Sequence, residues 1–249
     1  MTYAKPVPRK RSLPADGPLT GAPITQFAVV ALALSVVVIV PVILQMGLGL
    51  VPMASAVAVF AGAAAGMGRL LHLTYPHPHL GLCNGVTLAR LALASVLIAP
   101  IVAGSGPSWM IFAVAAIALG LDGIDGWLAR RQGFASDFGA RFDMEVDSAL
   151  ALVLALSAAV TAGLGLFPIV LGVPRYAFGL ARWVLPWMRR DLPDRFSRKA
   201  ACVVQLAALI ALQIPILPSE LALPIVALAV VVLGASFASD VVWLWRRRK

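Results

Sequence analysis

Asp122-Gly123-Ile124-Asp125-Gly126-Trp127-Leu128-Ala129-Arg130, followed after eight residues by Gly139 and then by Asp143 and Asp147, is the stretch on which the reading of this chain turns. The protein has 11 carboxylates in 249 residues, and this window holds Asp122, Asp125, Asp137, Asp143, Glu145 and Asp147. The sequence on either side is strongly apolar. A carboxylate in or near a bilayer is costly, so a cluster of them between apolar runs marks a functional site.

Composition defines the surroundings. The chain is 61% hydrophobic and 12% charged, with a mean hydropathy of +0.93. Soluble domains carry about a quarter charged residues, so a soluble fold is excluded. Apolar runs of about 20 residues match the thickness of a hydrocarbon core and predict an all-α, polytopic transmembrane bundle. The short alternating segments of a transmembrane barrel are missing. The net charge of +9 comes from basic residues at segment ends. In a membrane chain that pattern sets orientation and attracts anionic lipid or a phosphorylated substrate rather than nucleic acid. Cys83 and Cys202 are expected to be free thiols.

Residues 1–23, with Lys5, Arg9, Lys10, Arg11 and several prolines, read as a disordered basic cytoplasmic tail. Eight spans follow, near 25–48, 52–71, 85–103, 108–129, 141–163, 166–187, 199–216 and 222–245. With the N-terminus inside, the loops near 72–84, 130–140 and 188–198 and the tail 246–249 face the cytoplasm. The opposite connections, near 49–51, 104–107, 164–165 and 217–221, hold no lysine or arginine. The positive-inside rule is met at every loop, so both termini are expected in the cytoplasm of a cell-membrane protein. The division is a tail, two accessory spans with a linker (24–82), a six-helix core (83–245) and a short basic tail (246–249). The first two spans read as an appendage. Gly62 and Gly66 in the second permit close helix packing, as in a homodimer, although a span with no special partner has the same composition. Pro76-His77-Pro78-His79 lacks a third ligand nearby and reads as a stiff linker rather than a metal site.

Asp122 and Asp125 are three apart, on one face of the fourth span near its inner end. Asp143 and Asp147 are four apart, on one face of the fifth. The short loop between them predicts antiparallel neighbours whose acidic faces converge. Four converging carboxylates call for a cation, and an oxygen-only set suits Mg²⁺ or Mn²⁺, with room for two ions. Gly126 and Ala129 leave the helix face bare for a ligand, and Arg130 can take a phosphate oxygen. A purely structural alternative pairs the acids with Arg130, Arg131 and Arg141. Asp137 reads as a solvated loop charge, and Glu145 points away from the Asp143/Asp147 face. Asn84, Thr87 and Arg90 recur every three residues at the inner end of the third span, with Arg90 facing the site or snorkelling to the head groups.

The pattern Asp122-x2-Asp125-Gly126-x2-Ala129-Arg130-x8-Gly139-x3-Asp143-x3-Asp147 resembles the signature of the CDP-alcohol phosphotransferase family at every fixed position and spacing. Asn84, Thr87 and Arg90 resemble the start of that family's first core helix. Ser197-Arg198-Lys199 with Gln205 resembles a later Ser-x2-Gly-Lys…Gln pattern, with Arg198 in place of glycine. The resemblance implies a CDP-linked lipid donor, usually CDP-diacylglycerol, attacked at its β-phosphorus by an acceptor hydroxyl with release of CMP. It implies Asp122, Asp125, Asp143 and Asp147 as metal ligands and Asp147 also as general base. Gly126, Ala129, Arg130 and Gly139, with Asn84 and Thr87, would border the cytidine diphosphate.

Arg175 and Arg182 are seven apart on one face of the sixth span. Arg175 lies about 15 Å before that span's inner end, and an arginine at such depth needs an anionic partner or a watery cavity. Arg175, with Arg182 and Lys199 behind it, is therefore the expected site for an anionic acceptor; pairing of Arg175 with a site carboxylate is the alternative. Glycerol 3-phosphate fits first, then inositol phosphate or phosphatidylglycerol. Arg189 and Arg190 read as head-group anchors, and Asp240 as a partner of the Arg246–Arg248 tail. The rival classes are an intramembrane prenyltransferase with aspartate-rich metal motifs and an ion-coupled transporter. The first would place its motifs far apart in sequence, and the second would need polar residues along a path.

Overall fold

A computed structural model describes residues 22–46, 49–161, 164–189 and 195–247. Nearly all of the expected basic N-terminal tail, together with Arg190, Arg248 and Lys249, lies outside the described residues. The regular elements among them are α1 (Ala22–Met46), α2 (Leu50–Thr74), α3 (Gly81–Val96), α4 (Ile98–Val102), α5 (Trp109–Gln132), α6 (Asp137–Thr161), α7 (Ile169–Gly172), α8 (Pro174–Val184), α9 (Phe196–Ala211) and α10 (Ser219–Arg246). A 3-10 turn, Pro186–Arg189, follows α8. The fold is all-α, as expected.

Among the described residues, six stretches are long and apolar enough to cross a membrane: α1, α2, α3 with α4, α5, α6 and α10. That fits an integral membrane protein, but it is not the eight spans expected. The segment 166–187 is divided because Pro168 precedes α7, Pro174 opens α8 and Pro186 opens the 3-10 turn. Proline lacks an N–H and starts a helix more readily than it continues one. The segment 199–216 yields α9, 16 residues long. At about 1.5 Å per residue it reaches about 24 Å, short of a core of about 30 Å. A milder break separates α3 from α4, where Pro100 has no N–H to donate to the carbonyl of Val96.

α3 is the central helix, and α1, α2, α5 and α6 all pack on it. Leu88, Leu91, Ala115, Ala118, Phe142, Leu150 and Leu154 fill the space between them. α5 packs chiefly on α3, and α6 on α3 and α7, so the two are not the closely packed neighbours expected. The turn between them is tight all the same. Gly133 adopts φ +73°, and its N–H and that of Phe134 both donate to Ala129 O. Only glycine takes that left-handed conformation cheaply. Ser136 Oγ then accepts the Gly139 N–H at 3.1 Å and caps α6. Asp137 is the first residue of α6, not a loop charge, and its carboxylate faces the positive end of the helix.

The first two helices are built into the core rather than appended to it. The Phe27 ring of α1 lies 6.1 Å from that of Phe142 on α6. Gln26 Oε1 accepts the Leu80 N–H at 2.9 Å. On α2, Phe60, Ala64, Gly68 and Leu71 form the buried face. Gly62 and Gly66 lie on the outside, where an added Cβ would meet nothing within 4 Å. The linker is fastened as well. Tyr75 Oη lies 2.7 Å from Leu80 O and 3.0 Å from His79 O, and it accepts from Asn84 Nδ2 at 3.0 Å. Burial pushes the Tyr75 phenol up to about 12, so it remains a donor at physiological pH. His77 is held between the rings of Tyr75 and Phe134. Both cysteines are free thiols.

The approach of α7 to α6 makes a direct test of this packing. A Cβ at Gly172 would lie 2.8 Å from Ala155 Cβ and 3.0 Å from Leu152 Cα, and a backbone atom cannot move aside. Gly172→Ala should lower stability by about 1–3 kcal/mol in detergent thermal unfolding. Gly179→Ala on α8, where the space is open, should leave stability unchanged or raise it by up to about 1 kcal/mol.

Candidate active site

Arg90 lies at the centre of the acidic cluster and is fully buried. Its Nε donates to Ala118 O at 3.1 Å. Nη1 reaches Asp125 Oδ2 at 2.7 Å and Asp143 Oδ1 at 2.5 Å. Nη2 forms ion pairs with Asp122 Oδ1 at 2.9 Å and with Asp147 Oδ1. A guanidinium has five N–H donors in a rigid fork, and here four of them hydrogen-bond while Asp122 is held as an ion pair. The signature aspartates of both helices thus converge on one side chain of α3. Arg90 faces the site and does not snorkel. The structural alternative named the wrong cations: among the described residues, the ion pairs of all four aspartates go to Arg90. Arg131 instead covers the Trp127 ring at 4.8 Å.

The four aspartates are not equivalent. Asp122, Asp143 and Asp147 are half-buried, and each brings a carboxylate oxygen within 4.8 Å of the other two. Asp125 is buried beneath them and does not join that group. Its Oδ2 takes Arg90 and Thr87 Oγ1, the latter at 3.0 Å, and its Oδ1 takes the Gly126 N–H at 2.7 Å. One guanidinium against four carboxylates leaves the cluster with an excess of negative charge. Three convergent, partly exposed oxygen donors with that excess fit a hard divalent cation such as Mg²⁺ or Mn²⁺.

The remaining signature positions border the same region. Gly126 faces Arg130, whose Nη1 would lie 3.5 Å from a Cβ at that position. Ala129 is half-buried and Arg130 exposed, one turn further along α5. Gly139 opens onto Asn84, since its Cβ would lie 3.4 Å from Asn84 Oδ1. Asn84 is held by Tyr75 and by Leu80 O. Thr87 also reaches back to Cys83 O at 3.1 Å. The Tyr75 contact was not foreseen, because nothing in the sequence joins a linker tyrosine to a helix start nine residues on.

The expected acceptor residues are not gathered into one group. Arg175 Nη2 pairs with Glu145 Oε1 at 2.5 Å, and its Nη1 lies 3.3 Å from Met144 Sδ. Its partner is therefore the acid between Asp143 and Asp147, not one of the signature aspartates. Arg182 donates to Arg189 O, while Arg189 donates to Arg182 O and Trp183 O. These bonds close the end of α8, so Arg189 is a cap rather than a head-group anchor. Lys199 is exposed on α9. Arg198 binds Asp240 through Nε at 2.9 Å and Nη2 at 3.0 Å. Asp240 thus turns to α9 and not to the basic tail, because it lies on the buried face of α10 with Leu233 and Leu244. Gln205 Nε2 donates to Leu171 O at 2.5 Å, serving a carbonyl next to the break between α7 and α8.

The family model for CDP-alcohol phosphatidyltransferase matches residues 80–237, well over half of the chain. The protein is therefore a member of that family, as its signature predicts. Membership assigns it to the membrane transferases of phospholipid head-group chemistry. Neither the comparison with curated proteins nor that with solved structures finds a match.

Arg90→Ala would leave four carboxylates facing one another without their buried cation. Stability in metal-free buffer should fall by about 3–5 kcal/mol. Millimolar Mg²⁺ or Mn²⁺ should then stabilise the variant more than it stabilises the parent protein. Thermal unfolding in detergent, with and without chelator, measures both.

Proposed function

We propose that the protein transfers a phosphatidyl group from CDP-diacylglycerol to the hydroxyl of an anionic acceptor, with release of CMP. The observation that carries this reading is the meeting of Asp122, Asp143 and Asp147 from the two halves of the family signature. In this reading the cytidine diphosphate lies along the bare Gly126–Ala129 face of α5. Gly139, Asn84 and Thr87 border it, and Arg130 reaches a phosphate oxygen. Asp122, Asp143 and Asp147 would hold Mg²⁺ or Mn²⁺, with Asp125 behind them as the fourth acid. Such ions, two by this reading, would neutralise the diphosphate and the departing CMP.

Asp147 acts as general base. It meets Arg90 through Oδ1, which leaves Oδ2 for the acceptor proton. As that proton passes to Asp147, the acceptor oxygen forms a bond to the β-phosphorus and the bond from that phosphorus to CMP breaks. Arg90 holds the acids in place and stays out of the bond changes.

Arg175 is the proposed binder of the acceptor's anionic group, with Arg182 and Lys199 as outer cations. Support comes from its attachment to α6 at Glu145, two residues from both Asp143 and Asp147. Its side chain is 37% exposed, so the protein itself does not close it off from a ligand. Glycerol 3-phosphate is the first choice of acceptor, before inositol phosphate or phosphatidylglycerol. The same reading places the active site at the cytoplasmic face of the cell membrane, with both termini in the cytoplasm. It includes a homodimer through the open face of Gly62 and Gly66.

The test follows CMP release by purified protein given CDP-diacylglycerol, Mg²⁺ or Mn²⁺ and a panel of acceptors. Release should require one anionic acceptor, and no release with any acceptor would sink the proposal. Asp147→Asn should lower kcat by about 10²–10⁴-fold; an unchanged rate would remove Asp147 as base. Arg175→Ala should raise the acceptor KM about tenfold or more and change kcat little. An unchanged KM would move the acceptor site elsewhere.

A further inference from the structure

The N-terminal end of α9 and the C-terminal end of α10 border an open cleft of about 600 Å³ that the proposed reaction does not use. Its walls are Arg195, Ser239, Val242, Trp243, Arg246 and Arg247. None of the signature aspartates lines it, and neither does Arg175. It nevertheless lies at the same end of the bundle as the acidic cluster. Arg198, three residues after Arg195, binds Asp240 of α10, and α9 packs on α5 and α6, the helices that carry the aspartates.

The charge of this cavity is one-sided. Among the described residues, Arg195, Arg246 and Arg247 have no carboxylate within ion-pair distance. Asp240, the nearest acid on α10, is already held by Arg198. In sequence, the stretches 190–195 and 246–249 carry six basic residues against the acids Asp191 and Asp194. Arg247 lies over the Trp243 ring with its central carbon 4.0 Å from the ring centroid. Such stacking fixes the guanidinium plane and leaves its N–H edge free for an anion.

The apolar part of the cavity identifies the kind of anion. Leu228, Val231, Ala235 and Val242 are all exposed. Their spacings of three, four and seven put them on one face of α10, and that face ends at the cavity. α10 is one of the helices long enough to cross a membrane. A free phosphate would gain nothing from Val242 or from the track leading to it. A lipid would bury its chain there while its head group met the arginines.

We infer that this cleft binds an anionic phospholipid, with its phosphate among Arg195, Arg246 and Arg247 and an acyl chain along the Leu228–Val242 face. The lipid is a resident of this cleft and is not turned over at the aspartates. The inference does not depend on the proposed reaction.

Native mass spectrometry of the full chain in detergent, titrated with phosphatidylglycerol or phosphatidylcholine, tests it. The parent protein should retain the anionic lipid about tenfold more tightly. The triple variant Arg195→Gln, Arg246→Gln, Arg247→Gln should lose that preference, and a control with Arg69→Gln, Arg131→Gln, Arg141→Gln should keep it. Millimolar inorganic phosphate should not displace the lipid. Equal retention of the two lipids would overturn the inference, as would a preference that survives the triple variant or is lost equally in the control. Displacement by inorganic phosphate would make the cleft a soluble-anion site and overturn it too. Circular dichroism of each variant confirms that a lost preference is not lost folding.

Discussion

The buried guanidinium of Arg90 is the constraint on which the arrangement of the core depends. Four carboxylates cannot share a few ångströms at the edge of a bilayer without a cation among them. A side chain on α3 supplies one, and that choice has architectural consequences. α3 has to stand between the two acidic helices, so α5 and α6 each lean on α3 and meet mainly at their connecting turn. The Gly133 turn keeps their ends close enough for all four aspartates to reach one residue. Arg90 in turn must be held from behind. Ala118 O takes its Nε, and Thr87 shares the Asp125 carboxylate one turn earlier. The cluster is thus a three-helix object, although its acids come from only two helices.

This division explains the separation between Asp125 and its neighbours. Asp125 sits on the buried side of Arg90 and has three donors of its own. It serves as the floor of the site. Asp122, Asp143 and Asp147 are the half-buried members of the set. A single arginine compensates only part of the charge, which keeps the set anionic without letting the cluster fly apart.

The acidic window was legible in the sequence because it broke two rules together: charge in an apolar chain, and helical spacing repeated on both sides of one short loop. Its family followed from the glycine, alanine and arginine positions. Arg90 was visible as a residue sharing a face with Asn84 and Thr87, but its partners were not, since spacing along one helix says nothing about which helix lies opposite. The same limit applies to Asp240. Its apparent partners were the adjacent basic tail, yet its helical face points to Arg198. The breaks in the sixth span are hidden by its mean hydropathy, which suits a membrane, while Pro168, Pro174 and Pro186 forbid one continuous helix. The first two helices were read as an appendage because they carry little chemistry. Their contribution is contact instead, with Phe27 of α1 on Phe142 and, from the linker that follows α2, Tyr75 on Asn84, both reaching elements that bear signature residues.

The arginines at this end of the bundle form a series in which burial and pairing decide the role. Arg90 is enclosed and tied to Ala118 O and all four aspartates, so it can hold neighbours in place but is closed to a new ligand. Arg175 is half-exposed and rests on a single carboxylate, Glu145, that a stronger anion could share or replace. Arg195, Arg246 and Arg247 line an open cleft with no acid facing them among the described residues. Desolvation rises in the opposite order to availability. The most buried cation is therefore suited to structure, the intermediate one to a ligand that comes and goes with each turnover, and the outermost set to a lipid that stays. Under the proposed readings, one residue type would perform three tasks, divided among them by its burial in the fold.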